Sequence, residues 1–350
     1  MKKELYVVIL AAGKGQRMES LNESYSKVAY PILGKPLVNY VIDAAKPLNA
    51  KETIVVVGFG GEMTSRCVKD HAKVVWQKEV IGTGDALVKG TAPIKKKSGD
   101  VIVLCGDTPL LTTETIIKIY NKHVKNNNKL TICSTVLANP SGYGRVIRDE
   151  KSHCLMEVRP YAELSEEEKE IGEVNSGIYI VDNKLLQEYL PKLSRNNKKN
   201  EYYLSDIVGM FYRDGHAIDT FVLPDAEDLY NINDRIQLAY ASKVIKKRVN
   251  HKLMLSGVSI EDPDTTYISP DVEIDKDTVI LPNTSILGEC VIGSMNIIGP
   301  SVYLEHVYVG ENNHISFASI IDYKIGDNEE VGPFVKLKGG RYHADNWFLW

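Results

Sequence analysis

The stretch ISPDVEIDKDTVILPNTSILGECVIGSMNIIGPSVYL, residues 268–304, carries an aliphatic residue at every sixth position. These positions are Ile268, Ile274, Ile280, Ile286, Ile292, Ile298 and Leu304. An α-helix repeats every 3.6 residues or so and a flat strand every second residue, so neither explains a period of six. A parallel β-helix does, because each short strand points an aliphatic side chain inward and small residues fit the corner that follows. The stretch therefore predicts a parallel β-helix.

Small or β-branched residues stand four positions after most of these aliphatics, namely Val272, Thr278, Thr284, Cys290 and Val302, while Asn296 interrupts the series. After Leu304 the register slips by one residue and later slips again. The inward positions that we then expect are Val309, Ile315, Ile321, Ile325, Val331 and Leu337. We assign residues 258–340 to the β-helix. The aromatic tail 341–350 is predicted to cap the last coil, with an interface or a membrane-surface anchor as the alternative.

The first two thirds of the chain alternate short apolar runs with helical patterns. Predicted strands are Leu5–Ala11, Thr53–Gly58, Lys73–Gln77, Val101–Cys105, Thr131–Leu137, Gly177–Val181 and Ala217–Leu223. Several are β-branched runs without polar alternation, which is typical of strands covered by helices on both faces. This pattern predicts a Rossmann-like α/β domain over residues 1–232, joined by a helix at 233–257 to the β-helix. Ligands of such sheets bind beyond the carboxyl ends of the strands.

Composition narrows the class of protein. The net charge is −4, without the basic domain typical of nucleic-acid binding, and we interpret Lys246-Lys247-Arg248 as a solvated helix face. The five cysteines lack CxxC spacing, which favours reduced thiols in the cytoplasm. No window approaches the roughly 20 apolar residues of a membrane span. We expect a soluble, cytoplasmic protein with no nucleic-acid or membrane partner.

A glycine-rich loop follows the first predicted strand in VVILAAGKGQRM, residues 7–18. The dinucleotide fingerprint would need a third glycine where Met18 stands, and no Gly-Lys-Ser/Thr follows to complete a P-loop. Arg17 follows the loop, and Lys27 lies ten residues further on. Two cations beside a loop that exposes its backbone at Gly13 and Gly15 suit the charge that grows on a leaving pyrophosphate.

Two later motifs offer partners for this loop. Asp107 in VIVLCGDTPLL follows a strand end and can hold Mg²⁺ against a triphosphate, although capping of the next helix is an equally good interpretation. Gln77 in VVWQKEVIGTGDAL has an amide that can both donate to and accept from a base edge. The same motif exposes backbone at Gly82-Thr83.

Eight motifs in this order closely resemble one family: LAAGKGQRM, SKVAYPILGKP, QKEVIGTGDAL, GDTPLL, GYGRVIRD, EVNSGIY, NEYYLSDIV and YNINDRIQL. The chain resembles the bifunctional N-acetylglucosamine-1-phosphate uridylyltransferase / glucosamine-1-phosphate acetyltransferase family from residue 4 to about residue 340. The six-residue repeat is similar to the start of the left-handed β-helix of that family. The resemblance implies Mg²⁺-dependent transfer of a uridylyl group from UTP to N-acetylglucosamine-1-phosphate.

The resemblance also implies a role for each matching residue. Arg17 and Lys27 would be catalytic, and Asp107 with Asn233 would bind Mg²⁺. The nucleotide would be held by Leu10, Ala11, Ala12, Gly13, Gly15, Lys27, Gln77, Gly82 and Thr83. The sugar phosphate would be held by Thr83, Gly144, Glu157 and Asn175. From the residues alone, Glu157 is equally an exposed acid, and Asn175 and Asn233 are equally turn residues or helix caps.

The chain departs from the family pattern in places. Cys105 stands where relatives often carry Tyr, and Ser26 where they often carry Pro. Lys338 stands at the edge of the family's second site, whose remaining residues lie in later coils, so we expect acetyl transfer to be absent. The family associates as trimers through the β-helix, and we expect a homotrimer. The open alternatives are transfer to another sugar phosphate and a non-catalytic trimeric scaffold.

Overall fold

The structure, a computed structural model, describes residues 3–21 and 25–339. The predicted aromatic tail lies outside these residues. The chain divides into two compact units, one built from residues up to Tyr30 and from Pro36–Gln237, the other from Pro31–Lys35 and the residues from Leu238 onward. The predicted fold class, a Rossmann-like α/β domain and a short left-handed parallel β-helix, is confirmed.

A single mixed sheet forms the centre of the first unit. Its main path runs through Ile218–Leu223, Leu130–Val136, Glu173–Asp182, Asp100–Cys105, Leu5–Ala11, Glu52–Val57 and Lys73–Trp76. All neighbours on this path are parallel except Glu173–Asp182, which is antiparallel to both of its neighbours. Each predicted strand is present, with ends shifted by a residue or two except at Glu173–Asp182, which begins four residues earlier. The antiparallel pair Arg145–Arg148 and Leu155–Arg159 extends this sheet and was not predicted.

Helices cover both faces of this sheet. Val7 and Ile9 belong to the apolar cluster on one face, and Tyr6 and Val8 to the cluster on the other. Because successive side chains of a strand point to opposite faces, a strand buried on both faces has no polar positions. The helices of this unit are Leu37–Ala45, Gly61–Val68, Thr83–Thr91, Thr113–Lys125, Glu166–Lys169, Asn183–Tyr189 and Asp206–Arg213. Short 3₁₀ helices span Gln16–Met18, Lys27–Ala29, Lys46–Leu48, Ala92–Ile94, Tyr161–Glu163, Leu190–Lys192 and Glu227–Leu229.

Three parallel sheets form the β-helix of the second unit, and the helix Arg235–Leu255 precedes them in sequence. The first sheet contains Ser259–Ile260, Val279–Ile280, Ile297–Ile298, His314–Ile315 and Glu330–Val331. The second contains Tyr267–Ile268, Ser285–Leu287, Tyr303–Glu305, Ala318–Ile321 and Val335–Lys338. The third contains Glu273–Ile274, Val291–Ile292, Tyr308–Val309 and Lys324–Ile325. A separate two-stranded hairpin pairs Pro31–Ile32 with Lys35–Pro36.

The inward register of the coils agrees with the sequence at every position but one. Ile268 through Leu304 are buried at the predicted spacing of six. The prediction of Ile321 as an inward position is wrong: Ile320 is fully buried and pairs with Leu304, whereas Ile321 pairs with Glu305. One corner before this strand is a residue shorter than the repeat requires, and two adjacent isoleucines left the choice open in the sequence.

Asn296, which interrupts the small residues of one corner, belongs to a ladder of polar side chains. Its Nδ2 donates to the carbonyl oxygens of Gly293 at 2.7 Å and of Gly310, in the next coil, at 2.8 Å. Its Oδ1 accepts a 2.8 Å hydrogen bond from the backbone N–H of Asn313. Asn313 repeats this arrangement one coil further on, toward Gly326 and Glu329. The buried amides satisfy backbone groups that the corner leaves unpaired.

The predicted solvated face at Lys246-Lys247-Arg248 is wrong for Lys246. This side chain is only 8% exposed. Its ammonium donates to the carbonyl oxygen of Asp264 and lies 4.8 Å from the centre of the Tyr267 ring. One turn later, Asn250 donates to Pro263 and Thr266 carbonyls. The two side chains fasten the helix to the loop that enters the first coil, within the second unit.

Candidate active site

The loop after the first strand combines an open glycine with a crowded one. Among the described residues, a Cβ at Gly13 would meet no atom within 4 Å, so this backbone faces open space. Gly15 has a φ of +59°, and a Cβ there would lie 2.5 Å from the Cβ of Lys27. Glycine is therefore required for the loop to approach Lys27, both for its backbone angle and for its size.

Lys27, Asp107 and Asn233 meet at one point, although they are far apart in the sequence. The Lys27 Nζ lies 2.5 Å from Asp107 Oδ2 and 3.0 Å from Asn233 Oδ1. Asn231 donates through Nδ2 to Asp107 Oδ1 at 3.3 Å. The Lys27 and Asp107 side chains are 11% and 18% exposed, so the pair is largely but not fully shielded from water. An ion pair in this position is stronger than one on the surface, because screening by solvent is weaker there.

The two side chains predicted to bind Mg²⁺ already surround a cation. A carboxylate oxygen of Asp107 and the amide oxygen of Asn233 both contact the ammonium of Lys27. Oxygen donors of these types are the ligands that Mg²⁺ prefers, usually together with water and phosphate oxygens. The donor set therefore fits Mg²⁺, and nucleotide phosphates would have to supply further oxygens.

Helix capping, the alternative interpretation of Asp107 and Asn233, is not what the structure contains. The helix that follows Asp107 is capped by Thr112, whose hydroxyl accepts a hydrogen bond from the Thr115 N–H. At the start of the helix Arg235–Leu255, the carboxylate of Asp234 accepts from the Gln237 N–H at 2.8 Å. Asp107 and Asn233 are thus left to interact with Lys27.

Gln77 is buried beside the second glycine-rich turn and is 1% exposed. Its amide nitrogen donates to the Gly82 carbonyl at 3.1 Å and to Asp85 Oδ2 at 2.9 Å. Both amide hydrogens are used in these bonds, so the oxygen is the atom left to accept a hydrogen bond from a base. Thr83 follows as the first residue of the helix Thr83–Thr91, and its hydroxyl accepts from the Leu204 N–H at 3.1 Å.

Gly144 and Asn175, both predicted to hold the sugar phosphate, are neighbours. The Asn175 N–H donates to the Gly144 carbonyl at 3.0 Å, and the Asn175 side chain donates to the Tyr179 hydroxyl at 2.8 Å. Burial strongly raises the pKa of Tyr179, so its hydroxyl stays protonated. Cys105 lies nearby, with its sulfur 3.7 Å from the Gly177 carbonyl oxygen. Burial raises the pKa of the Cys105 thiol to about 12, so this group is neutral as well.

Glu157 is held by an ion pair rather than left as an exposed acid. Arg159 binds Glu157 through one guanidinium nitrogen and Glu168 through another. Asp206 begins the helix that packs on this strand, and burial together with the Glu157 charge raises the pKa of Asp206 to about 6. The Glu157 side of the site is therefore rich in carboxylates, with Arg159 as the bridging cation.

Arg17 has an exposed side chain, and its charge acts on Tyr143. Burial raises the pKa of Tyr143, the Asp107 charge raises it further, and the Arg17 charge lowers it. The phenol of Tyr143 therefore lies within the electrostatic reach of both side chains. The residues before the loop are strand backbone: the Leu10 carbonyl accepts from the Gly106 N–H at 2.9 Å. Ala11 and Ala12 are buried.

Sequence reasoning missed four side chains of this region: Tyr143, Tyr179, Asp206 and Asn231. Asn231 had a usable signal, because it is a second asparagine only two residues before Asn233. Tyr143 and Asp206 lie within the quoted motifs GYGRVIRD and NEYYLSDIV. Only the folded chain brings them next to Asp107 and Glu157.

Two searches of the described residues gave negative results. Over residues 3–21 and 25–339, no three or more histidine, cysteine, aspartate or glutamate side chains are grouped to hold a metal ion. In the described part of the chain, no helix has both the length and the apolar character that crossing a membrane requires. All five cysteines are free.

A glycine loop and the cluster of Lys27, Asp107 and Asn233 lie at the carboxyl edge of a largely parallel sheet, which is where ligands of such sheets bind. The family described as nucleotidyl transferase matches residues 6–242, and the chain belongs to that family. The prediction of a nucleotidyltransferase enzyme is confirmed.

The comparisons also identify the narrower family. The bifunctional protein GlmU of Caldanaerobacter subterraneus subsp. tengcongensis is 40% identical over 336 residues, which are 96% of this chain and 72% of the relative. The proteins of the same name from a Geobacillus species and from Clostridioides difficile are 39% and 37% identical, over 95% of this chain and 72% and 71% of their own length. The chain belongs to the GlmU family, and the resemblance predicted from its motifs is confirmed.

Proposed function

We propose that the chain transfers a uridylyl group from UTP to N-acetylglucosamine-1-phosphate and releases pyrophosphate. The observation that carries the proposal is the convergence of Lys27, Asp107 and Asn233 next to the loop at Gly13 and Gly15. The ammonium of Lys27 and the oxygens of Asp107 and Asn233 lie beside a loop backbone that a phosphate can approach. This is what transfer between phosphates needs, because the reacting groups are themselves anions.

The reaction needs no nucleophile from the protein. An oxygen of the sugar phosphate attacks the α-phosphorus of UTP, a new O–P bond forms, and the bond to the bridging oxygen of the β-phosphate breaks. The bonding electrons leave with pyrophosphate. Lys27 and Arg17 are assigned to neutralise the charge that grows on the phosphates, so the catalytic contribution is positioning and electrostatic stabilisation.

Asp107 and Asn233 are assigned to Mg²⁺, which when bound supplies charge neutralisation and orientation of the phosphates. Because Lys27 contacts the same two oxygens, its ammonium must shift when another cation takes them. Gln77 and the turn at Gly82 are assigned to uracil, and Leu10, Ala11, Ala12 and Thr83 to the remaining nucleotide contacts.

The sugar phosphate is assigned to the side of the site formed by Gly144, Glu157 and Asn175, with Thr83 at its edge. Glu157 can accept hydrogen bonds from sugar hydroxyls or an amide N–H, and Asn175 can both donate and accept them. Cys105 is neutral and small, and it offers no strong hydrogen bond to a sugar. The preference for an N-acetylated sugar must therefore come from the other side chains.

The test is pyrophosphate release with UTP, N-acetylglucosamine-1-phosphate and Mg²⁺, compared between wild type and Asp107→Asn. We expect the variant to lose about 10²-fold or more in kcat/KM, because one charge at the phosphates is removed. Asp271→Asn is the matched control: it removes another Lys–Asp pair, 2.6 Å from Lys35, within the second unit. Its activity should equal that of wild type.

The same assay decides the alternatives when other nucleotides and sugar phosphates are run in parallel. Release with a different sugar phosphate, and not with N-acetylglucosamine-1-phosphate, would assign nucleotidyl transfer to that sugar. No release with any pair would contradict the proposal and favour the scaffold.

A homotrimer formed through the β-helix is part of the proposal. Its support is a set of apolar side chains exposed on the coils: Tyr267, Val291, Ile297, Tyr308 and Phe317. Val291 and Tyr308 are paired on neighbouring strands of the third sheet, and adjacent exposed apolar side chains are more typical of interfaces than of free surface. Light scattering coupled to size exclusion tests it, and a stable monomer would contradict it.

A further inference from the structure

A tight turn, residues 140–143, carries Tyr143 into the site. The Tyr143 N–H donates to the Pro140 carbonyl at 3.2 Å. Gly142 occupies the third position of this turn with a φ of +82°, as a type II turn requires. Among the described residues, a Cβ on Gly142 would touch nothing within 4 Å, so the backbone angle alone explains the glycine.

Arg145 donates hydrogen bonds to both ends of this turn. It is 1% exposed, and its Nη1 donates to the Pro140 carbonyl at 2.8 Å and to the Tyr143 carbonyl. Its Nη2 donates at 3.0 Å to the carbonyl of Lys169, the last residue of the short helix Glu166–Lys169. Burial lowers the pKa of Arg145 below its ordinary value, yet guanidinium stays charged at neutral pH. A buried cation whose partners are backbone carbonyls keeps those carbonyls in place, because losing one leaves the charge poorly solvated.

Arg159 stands directly opposite Arg145 on the neighbouring strand. Its guanidinium joins Glu157, on the sugar side of the site, to Glu168 of the same short helix. That helix is itself fixed by a capping box between Ser165 and Glu168. Both arginines therefore bind the helix Glu166–Lys169: Arg145 donates to the Lys169 carbonyl, and Arg159 pairs with the Glu168 carboxylate.

The two arginines act on two different residues that are assigned to the sugar phosphate. The turn held by Arg145 leads directly into Gly144, whose carbonyl accepts a hydrogen bond from the Asn175 N–H. The carboxylate held by Arg159 is Glu157. None of these hydrogen bonds and ion pairs of Arg145 and Arg159 involves Gln77 or the turn at Gly82.

We propose that Arg145 and Arg159 are positioning residues that tie Gly144 and Glu157, two residues assigned to the sugar phosphate, to the helix Glu166–Lys169. The proposal rests on the proposed function for the identity of the substrates. Its consequence is selective: loosening the arginines impairs the use of the sugar phosphate and leaves the use of UTP nearly intact.

The first test is Arg145→Lys, which keeps the charge but replaces the planar guanidinium, whose two nitrogens reach the three carbonyls, with a compact ammonium that cannot span them in the same geometry. We expect kcat/KM for the sugar phosphate to fall about 10- to 100-fold, since a displacement near 1 Å in a reacting group has an effect of that size. KM for UTP should change less than about threefold. Arg159→Lys should give the same pattern. Lys169→Ala is the matched control, because Arg145 uses only the carbonyl of Lys169, and its kinetics should equal those of wild type.

A second variant disturbs the turn without touching the arginines. Gly142→Ala imposes strain at a positive φ and nothing else, so it should reproduce the sugar-phosphate defect. Gly215→Ala is its control: Gly215 has a φ of +72°, likewise with open space for a Cβ among the described residues, and lies after the helix Asp206–Arg213. It should leave both substrates unaffected. This pair carries the test if Arg145→Lys does not fold.

Hydrogen exchange at residues 139–145 separates this proposal from the proposed function. Faster exchange of these amides in Arg145→Lys, with unchanged exchange in the strand Leu5–Ala11, is the expected result, whether or not the wild-type protein turns over the named substrates. Unchanged exchange in the turn would overturn the proposal. So would equal losses for UTP and the sugar phosphate, or wild-type kinetics in both Arg145→Lys and Gly142→Ala.

Discussion

Replacing Asn296 with alanine should destabilise the β-helix far more than its position on a short corner suggests. The side chain is completely buried and makes three short hydrogen bonds to backbone groups. They are the bonds to the Gly293 carbonyl at 2.7 Å, to the Gly310 carbonyl at 2.8 Å and from the Asn313 N–H at 2.8 Å. Alanine leaves the Gly310 carbonyl and the Asn313 N–H without a partner in a place that water reaches poorly, while the Gly293 carbonyl keeps its hydrogen bond from Thr278.

The magnitude follows from the two groups left unpaired. A hydrogen bond lost with its partner left buried costs about 1–3 kcal/mol, so the two together cost about 2–6 kcal/mol, and we expect a loss of about 3 kcal/mol. Threonine should cost much less. Thr278 holds the equivalent position one coil earlier, donates to the Gly293 carbonyl at 2.8 Å and accepts from the Asn296 N–H at 3.2 Å. Asn296→Thr can make the same two bonds between coils, so we expect a loss of about 1 kcal/mol.

Native-state hydrogen exchange measured by mass spectrometry reports this quantity for the β-helix separately from the α/β unit. A loss of about 3 kcal/mol corresponds to exchange about 10²-fold faster in the strands Ile297–Ile298 and His314–Ile315. The strand Leu5–Ala11 is the internal control and should be unchanged. Asn312→Gly is the control variant, because the Asn312 side chain is exposed and its φ of +56° suits glycine.

Two results would refute the reasoning. If Asn296→Ala exchanges within about threefold of wild type, the buried amide does not contribute as a hydrogen-bonding group. If Asn296→Thr is as damaging as Asn296→Ala, the contribution comes from volume or shape rather than from the bonds between coils.

Two further predictions concern ionisable groups of the first unit and the buried thiols. Burial, followed by the charges of Glu157 and Glu163, raises the pKa of Asp206 to about 6. In the unfolded chain the pKa is about 3.9. The stability that the protonated carboxyl contributes to the folded state is therefore lost as the pH rises through about 6. Asp206→Asn should therefore raise the stability by about 1 kcal/mol near pH 7.5, after allowance for partial exposure, and not near pH 4; a shift in Tm that is equal at both pH values would contradict this. Iodoacetamide near pH 8 should alkylate the exposed Cys154 and spare four thiols whose pKa burial raises to about 11 or 12, namely Cys67, Cys105, Cys133 and Cys290. Peptide mass spectrometry checks it, and labelling of Cys133 as fast as Cys154 would disprove it.

Periodicity was enough to predict most of the fold. The seven strands of the α/β sheet and the coils from Ile268 to Leu304 follow from runs whose period is set by which faces are buried. The antiparallel pair Arg145–Arg148 and Leu155–Arg159 was missed because its polar and charged residues show no buried face in the sequence. Ile320 and Ile321 could not be told apart, since corner length depends on how one coil stacks on the next.

The candidate site divides in the same way. The sequence alone indicated the loop at Gly13 and Gly15, the cations Arg17 and Lys27, and Asp107, because a strand followed by glycine or by an acid is a local pattern. Only the tertiary structure brought Lys27 into contact with Asp107 and Asn233, across separations of 80 and 206 residues. The tertiary structure alone shows that Lys246 is buried and that Asn296 hydrogen-bonds to the next coil. It alone shows that Arg145 and Arg159 both bind the helix Glu166–Lys169. Local patterns report the burial of a segment's own faces, whereas the partner of a buried polar group is chosen by the packing of distant segments, and no local period encodes that choice.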